Sequence, residues 1–213
     1  MSETVMKRGQ RRLVLWRHGQ TAWNLENRFQ GKTDIPLDET GQAQAARAAA
    51  LLAGLKPTAI VASTLQRAAD TGRALAAITG LPISYDAELI ERDGGEWEGL
   101  TGPEIRSRYP AEHSIWQPPG GETSAQVAKR VGSALERAAA GLADDGVLVA
   151  ASHGAALRLG MCHMLGLPEE LWERFGGLSN CSWSVLAESR HGWRIIEHNA
   201  GTLPKPVMSD DRA

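Results

Sequence analysis

Two apolar runs in this chain of 213 residues each lead straight into a histidine followed by glycine: Leu13-Val14-Leu15-Trp16 into Arg17-His18-Gly19, and Val147-Leu148-Val149-Ala150-Ala151 into Ser152-His153-Gly154. Runs of that length read as strands, and they alternate with stretches rich in Ala, Leu, Gln and Arg at helical spacing. Such alternation is the pattern of βα units and of a largely parallel sheet. The predicted strands are 12–16, 58–62, 82–85, 147–152, 181–187 and 193–198, and the predicted helices run Gly41 to Ala53, Ser63 to Thr79, Ser124 to Gly141 and Ala155 to Leu165. Asp38 can cap the first helix, and Gly80-Leu-Pro82 and Gly166-Leu-Pro168 are helix stops. The last two strands flank the turn-forming Glu188-Ser-Arg-His-Gly192, which predicts an antiparallel hairpin at one edge of the sheet. The expected fold is therefore α/β, a three-layer sandwich with a mixed, mostly parallel sheet of about six strands and helices on both faces.

The length suits one domain over residues 1–213. Within it, residues 94–123 carry Gly, Pro, Trp and charge with little periodicity and read as a lid-like insertion. Residues 202–213, with two prolines and a Ser-Asp-Asp-Arg-Ala end, are expected to fray. A net charge of −2 gives no reason to recruit nucleic acid or an anionic membrane. No apolar stretch approaches the roughly 20 residues of a membrane span, and Met1 to Arg8 lacks a signal peptide's apolar segment, so a cytoplasmic protein is expected. Cys162 and Cys181, placed in a helix and a strand without metal-ligand spacing, read as reduced core thiols.

In an open α/β sheet, ligands bind outside the carboxyl ends of the strands. Arg17-His18 and Ser152-His153 are thus expected in one crevice, with Arg67, one turn into the helix after strand 58–62, beside them. Phosphoryl transfer needs a nucleophile, charge neutralisation at the non-bridging oxygens, and a proton for the leaving oxygen. A neutral imidazole can serve as nucleophile at pH 7 without a metal, and the guanidinium of Arg17 or Arg67 can hold phosphate oxygens through two parallel hydrogen bonds. Glu91 is the candidate acid, because a phosphate dianion bound beside it favours its protonated form. Glu88, Glu96 and Glu98 lie close by, and a surface carboxylate is the competing reading for any of these glutamates. His113, His163, His191 and His198 have no comparable setting and read as structural or exposed. Trp97, Trp116, Trp172, Trp183 and Trp193 read first as core or lid filling, with Trp97 and Trp116 also placed to meet a substrate.

Taken together, Leu15 to Asn24, Asn27-Arg28-Phe29-Gln30-Gly31, Ser63 to Arg67, Glu91 with Gly95-Glu96-Trp97-Glu98-Gly99, Gly120-Gly121-Glu122-Thr123 and Ser152-His153-Gly154 resemble the histidine phosphatase superfamily, also called phosphoglycerate mutase-like, in the family's order. The resemblance implies that His18 is phosphorylated during turnover and that Arg17, Arg67 and His153 complete the phosphate pocket. It implies Glu91 as proton donor, Asn24, Gln30, Gly31 and Gly154 as phosphate or substrate contacts, and neither metal nor organic cofactor. The partner implied is a small phosphomonoester, and the sequence leaves a homodimer open.

Mutases and phosphatases of the superfamily share this pocket. Mutases that depend on 2,3-bisphosphoglycerate read Glu-Arg-His-Tyr-Gly where this chain has Glu91-Arg92-Asp93-Gly94-Gly95, and His-Gly-Asn-Ser where it has His153-Gly154-Ala155-Ala156. Their paired arginines are missing from the short Tyr109 to Pro118 segment. These departures favour water as the acceptor, hence a phosphatase, with a mutase or a non-catalytic phospho-ligand-binding member as the alternatives. Asn27 to Gly31 with Leu178 to Trp183 is similar to the branch that includes glucosyl-3-phosphoglycerate phosphatases, although broad-specificity acid phosphatases and phosphatases of vitamin intermediates share much of that frame.

Overall fold

Leu13 and Leu15 point to one side of the first strand and Val14 and Trp16 to the other, and all four are fully buried. A strand apolar on both sides needs a covering layer on each. The computed structural model describes residues 10–201 and supplies both layers. The elements run β1 (Arg12–Arg17), α1 (Ala22–Leu25), α2 (Glu39–Ala53), β2 (Ala59–Ser63), α3 (Gln66–Thr79), β3 (Ile83–Asp86), α4 (Gly102–Arg108), α5 (Pro110–Ser114), α6 (Ser124–Ala140), β4 (Val147–Ser152), α7 (Gly154–Met164), β5 (Trp183–Ser189) and β6 (Gly192–Ala200). Single 3-10 turns lie at Ala87–Leu89 and Gly95–Trp97, and a longer one at Glu169–Arg174.

The six strands are ordered β3-β2-β4-β1-β5-β6. The first four are mutually parallel, while β5 runs antiparallel to β1 and pairs with β6 in the edge hairpin. On one face α6 and α7 bury Val127, Val131, Leu135, Leu157 and Met161 against Leu13, Leu15 and Leu148. On the other, α2 and α3 bury Ala45, Ala49, Leu52 and Leu75 against Val14, Trp16, Ile60 and Val149. The three-layer α/β sandwich with a mixed, mostly parallel sheet is thus the observed architecture. Asp38 caps α2 by accepting from Gly41 N at 2.7 Å, and Gly80 ends α3 in the left-handed conformation.

Two local expectations need correction. Ser63 ends β2 instead of opening a helix, because its backbone continues the parallel pairing to Asp86; α3 starts at Gln66, and Arg67 lies in its first turn. Cys181 is outside β5, in a left-handed turn (φ 56°) whose N–H bonds the carbonyl of His18. The segment 94–123 holds α4 and α5, packed around an aromatic cluster of Phe29, Trp97 and Trp116. The expected fraying tail, 202–213, lies outside the described residues. Both cysteines are free and buried, and burial pushes their thiols up to about 11 for Cys162 and about 12 for Cys181. No helix among the described residues is long and apolar enough to cross a membrane.

Candidate active site

The pairing of β1 with β4 sets Arg17 level with Ser152, so the next residue of each strand emerges at the same edge. The rings of His18 and His153 lie 5.2 Å apart between centroids, and both side chains are buried. Their hydrogen bonds fix their tautomers. His18 Nδ1 is 2.7 Å from the carbonyl of Gly19, which can only accept, so Nδ1 carries the proton and Nε2 presents a lone pair. Arg67 Nε can only donate, and it donates to His153 Nδ1 at 3.2 Å; the proton of His153 is therefore on Nε2, 2.8 Å from Ser63 Oγ. Burial is the main force holding both imidazoles well below the ordinary histidine range. The charges of Arg67 and Arg17 add to it at His18, and those of Arg67, Arg17 and Arg130 at His153, where a protonated His18 would add repulsion as well. Both rings are neutral at pH 7.

The two arginines are buried and anchored through carbonyls. Arg67 donates from Nη2 to Gly31 O and from Nη1 to Thr33 O, each at 2.8 Å, and Arg17 Nη1 donates to Leu178 O at 2.6 Å. Gly154 opens α7 against Arg17, where a Cβ would sit 3.5 Å from the guanidinium carbon. Glu91 reaches the head of the same helix: Oε1 accepts from Arg92 N and Ala156 N, both at 2.8 Å, and Oε2 from Ala155 N at 3.2 Å. Its carboxyl thus caps the first turn of α7, the helix that His153 precedes.

Asn24 and Gln30 meet at Thr21, whose hydroxyl is 3.1 Å from Asn24 Oδ1 and 3.0 Å from Gln30 Oε1. Asn24 Nδ2 and Gln30 Nε2 are buried donors without a hydrogen-bond partner among the described residues. A buried unmet donor costs about 1–3 kcal/mol, which an anion in the crevice would recover. All nine residues singled out from the sequence, namely Arg17, His18, Asn24, Gln30, Gly31, Arg67, Glu91, His153 and Gly154, therefore belong to one connected hydrogen-bonded and packed assembly. No cluster of three or more His, Cys, Asp or Glu side chains suited to a metal occurs among the described residues. The positive charge of the site is supplied by arginine.

Sequence reasoning missed three members. Asn180 donates from Nδ2 to His18 O at 3.1 Å and to Asn24 Oδ1 at 3.2 Å. Ser63 receives His153. Glu98, which also read as a surface carboxylate, is instead a staple: its carboxylate accepts from Lys32 N, Thr33 N, Thr33 Oγ and Gly94 N. Asn180, Ser63 and Glu98 all lie inside the motif stretches, but no local pattern assigned them these contacts.

The model of the histidine phosphatase superfamily, branch 1, matches residues 13–201. The chain belongs to this superfamily. It is 38% identical over 191 residues to the glucosyl-3-phosphoglycerate phosphatase of Mycolicibacterium vanbaalenii, covering 83% of this chain and 84% of that one. It is 34% identical over 187 residues to an uncharacterised phosphatase of Bacillus subtilis, covering 88% and 93%. A solved structure of mycobacterial glucosyl-3-phosphoglycerate phosphatase with VO3 superposes with a TM-score of 0.84 at 36% identity, over 90% of this chain and all of that one. Like these histidine phosphatases, the chain is a phosphatase.

Proposed function

We propose that this phosphatase is a metal-independent phosphomonoesterase that works through a phosphohistidine at His18 on a small phosphorylated metabolite. Glucosyl-3-phosphoglycerate or another sugar or glycerate phosphate is the candidate substrate, by similarity to the relatives of that name. The observation that carries the mechanism is the bond from His18 Nδ1 to Gly19 O, which leaves the lone pair on Nε2 of a ring that feels the charges of the buried Arg67 and Arg17. Nε2 attacks phosphorus, the bond to the ester oxygen breaks, and Glu91 gives its proton to that oxygen. Water then attacks the phosphohistidine, Glu91 takes a proton from it, and the P–N electron pair returns to Nε2. Arg17 and Arg67 neutralise the phosphoryl oxygens, His153 and the amides of Asn24 and Gln30 line the pocket, and residues 94–123 act as the lid. The buried free thiols suit a reducing compartment, and we place the protein in the cytoplasm.

The test is inorganic phosphate release in EDTA from glucosyl-3-phosphoglycerate, 3-phosphoglycerate, sugar phosphates and nucleotides, with His18→Ala as control. Preference for one ester and near-complete loss in His18→Ala are expected. Substantial turnover by His18→Ala would sink the covalent route. Phosphoryl transfer between glycerate phosphates without net phosphate release would point to a mutase, and no release together with no acid-labile phosphoenzyme would point to a binding protein.

A further inference from the structure

Glu91 sits in a segment that neither a strand nor an α-helix holds, since only the 3-10 turn Ala87–Leu89 precedes it. Ser152 Oγ of β4 holds the turn by donating to Leu89 O at 2.6 Å, and the backbone on either side of Glu91 is held from α6. Arg130 Nη1 donates to the carbonyls of Glu88 at 2.7 Å and Ile90 at 3.1 Å, and Nη2 approaches the carbonyl of Glu91 itself at 3.4 Å. The other edge of the same guanidinium meets Glu122 in two parallel bonds, Nε to Oε1 at 2.8 Å and Nη2 to Oε2 at 2.6 Å. Glu122 reaches onward to the far side of Glu91, where its carboxylate accepts from Asp93 N at 3.0 Å and its backbone carbonyl from Arg92 Nε at 2.8 Å. Burial works against the charge of Glu122, but the hydrogen bonds from Arg130 and Asp93 outweigh it and keep the group below the ordinary carboxylate range. The ion pair therefore clasps the backbone before Glu91 by its carbonyls and the backbone after it by an N–H. Only a planar fork with five donors can serve those carbonyls and a carboxylate together.

We propose that Arg130 is a positioning residue for proton transfer, fixing the backbone of Glu91 so that its carboxyl stands at the leaving oxygen. This rests on the reading of Glu91 as proton donor. Arg130 makes no hydrogen bond to His18, Arg17, Arg67 or the loop that carries Gly31, so its loss loosens the acid and leaves the nucleophile and its clamp in place. Proton transfer demands hydrogen-bond distance and alignment. The signature is therefore a defect that depends on how much the leaving group needs a proton.

The experiment compares kcat/KM for 4-nitrophenyl phosphate, whose phenolate leaves unaided, with that for glycerol phosphate, whose alkoxide does not. This ratio ends at departure of the alcohol, so hydrolysis of the phosphoenzyme does not enter it. The proteins are the parent, Glu91→Gln, Arg130→Lys and Arg130→Met. Glu91→Gln is expected to lose roughly 100-fold on the alkyl ester and a few-fold on the aryl ester. Both Arg130 variants are expected to lose roughly tenfold on the alkyl ester with little change on the aryl one. Lysine keeps the charge that His153 feels from this position but not the fork, so a lysine variant that behaves like the parent overturns the proposal. Equal losses on both esters, or none, overturn it too, and if Glu91→Gln is selective the role of Glu91 stands. An unselective Glu91→Gln removes both. Should the Arg130 variants not fold, Glu122→Gln loosens the same fork from its other end, and there too a selective loss is expected and an equal one overturns the idea.

Discussion

Asn180 illustrates how one side chain can decide the chemistry of another. The Thr21 N–H can only donate, and it donates to Asn24 Oδ1 at 3.1 Å, while His18 O can only accept from Asn180 Nδ2. Both amides are therefore oriented by backbone groups, and Asn24 must turn its Nδ2 away from them as the spare donor. In Asn180→Asp an oxygen would face two acceptors, His18 O and Asn24 Oδ1, while the Thr21 N–H keeps Asn24 from reversing, so the carboxylate must swing away and unseat the Asn24 amide that faces the phosphate. Competitive inhibition by inorganic phosphate should weaken by roughly tenfold or more, the worth of a hydrogen bond to a charged group, and Asn180→Ala, which only removes a donor, should lose less. An alanine variant as poor as the aspartate would sink this account. The histidines and arginines of the site were legible because each adjoins a strand end. Asn180 was not, because its partner is His18, 162 positions away, and a long-range side-chain bond leaves no periodic trace.

Among the elements, the loop that carries Gly31 is tightly constrained. Gly31 has φ 53°, its carbonyl anchors Arg67, and a Cβ on it would lie 2.0 Å from Glu98 Oε1. Gly31→Ala must break the Glu98 staple or distort the loop beneath Arg67. A destabilisation of about 1–3 kcal/mol is expected, seen as a fall in Tm of roughly 3–10 °C, together with a rise in KM as Arg67 loses its seat. Unchanged Tm and KM would show that the loop is not a support. The long elements were readable in advance because α2, α3, α6 and α7 each span several turns of apolar repeat and the strands are short and apolar. The four residues of α1 and the two short helices of the 94–123 segment are too brief to develop a period, and α1 and α4 are capped instead by local Thr-Asn and Thr-Glu pairs. Ser63 was misplaced by the same weakness of boundaries, since nothing in Ser63-Thr64-Leu65 marks where pairing stops.

For the molecule as a whole, two buried neutral imidazoles make stability depend on pH. Their folded-state values lie well below 6.5, so the unfolded chain binds more protons wherever the pH is below 6.5 and above those values. The stabilisation is complete above pH 6.5 and is lost as pH falls beneath it, at about 1.4 kcal/mol per unit for each histidine. The depressed carboxylates Asp93, Glu104 and Glu122 respond only at lower pH, below their ordinary range. Urea midpoints measured in phosphate-free buffer should therefore drop between pH 7.5 and pH 5.5, and His153→Gln should flatten that slope. A flat profile in the parent protein would mean that the imidazoles are not buried neutral.

The strand order carries a further consequence, for synthesis of the chain. Arg17 is flanked by Ser152 of β4, and Trp16 by Trp183 of β5, so the strands that flank the one leading to His18 leave the ribosome long after it does. Contacts between such distant residues form late, because the loop between them must close first. A nascent or truncated chain that stops before Asn180 holds its nucleophile without β5 beside β1 and without the Asn180 and Cys181 bonds to the carbonyl of His18. Such fragments should be unable to cleave phosphoesters, and the enzyme switches on only once nearly all of it has been made.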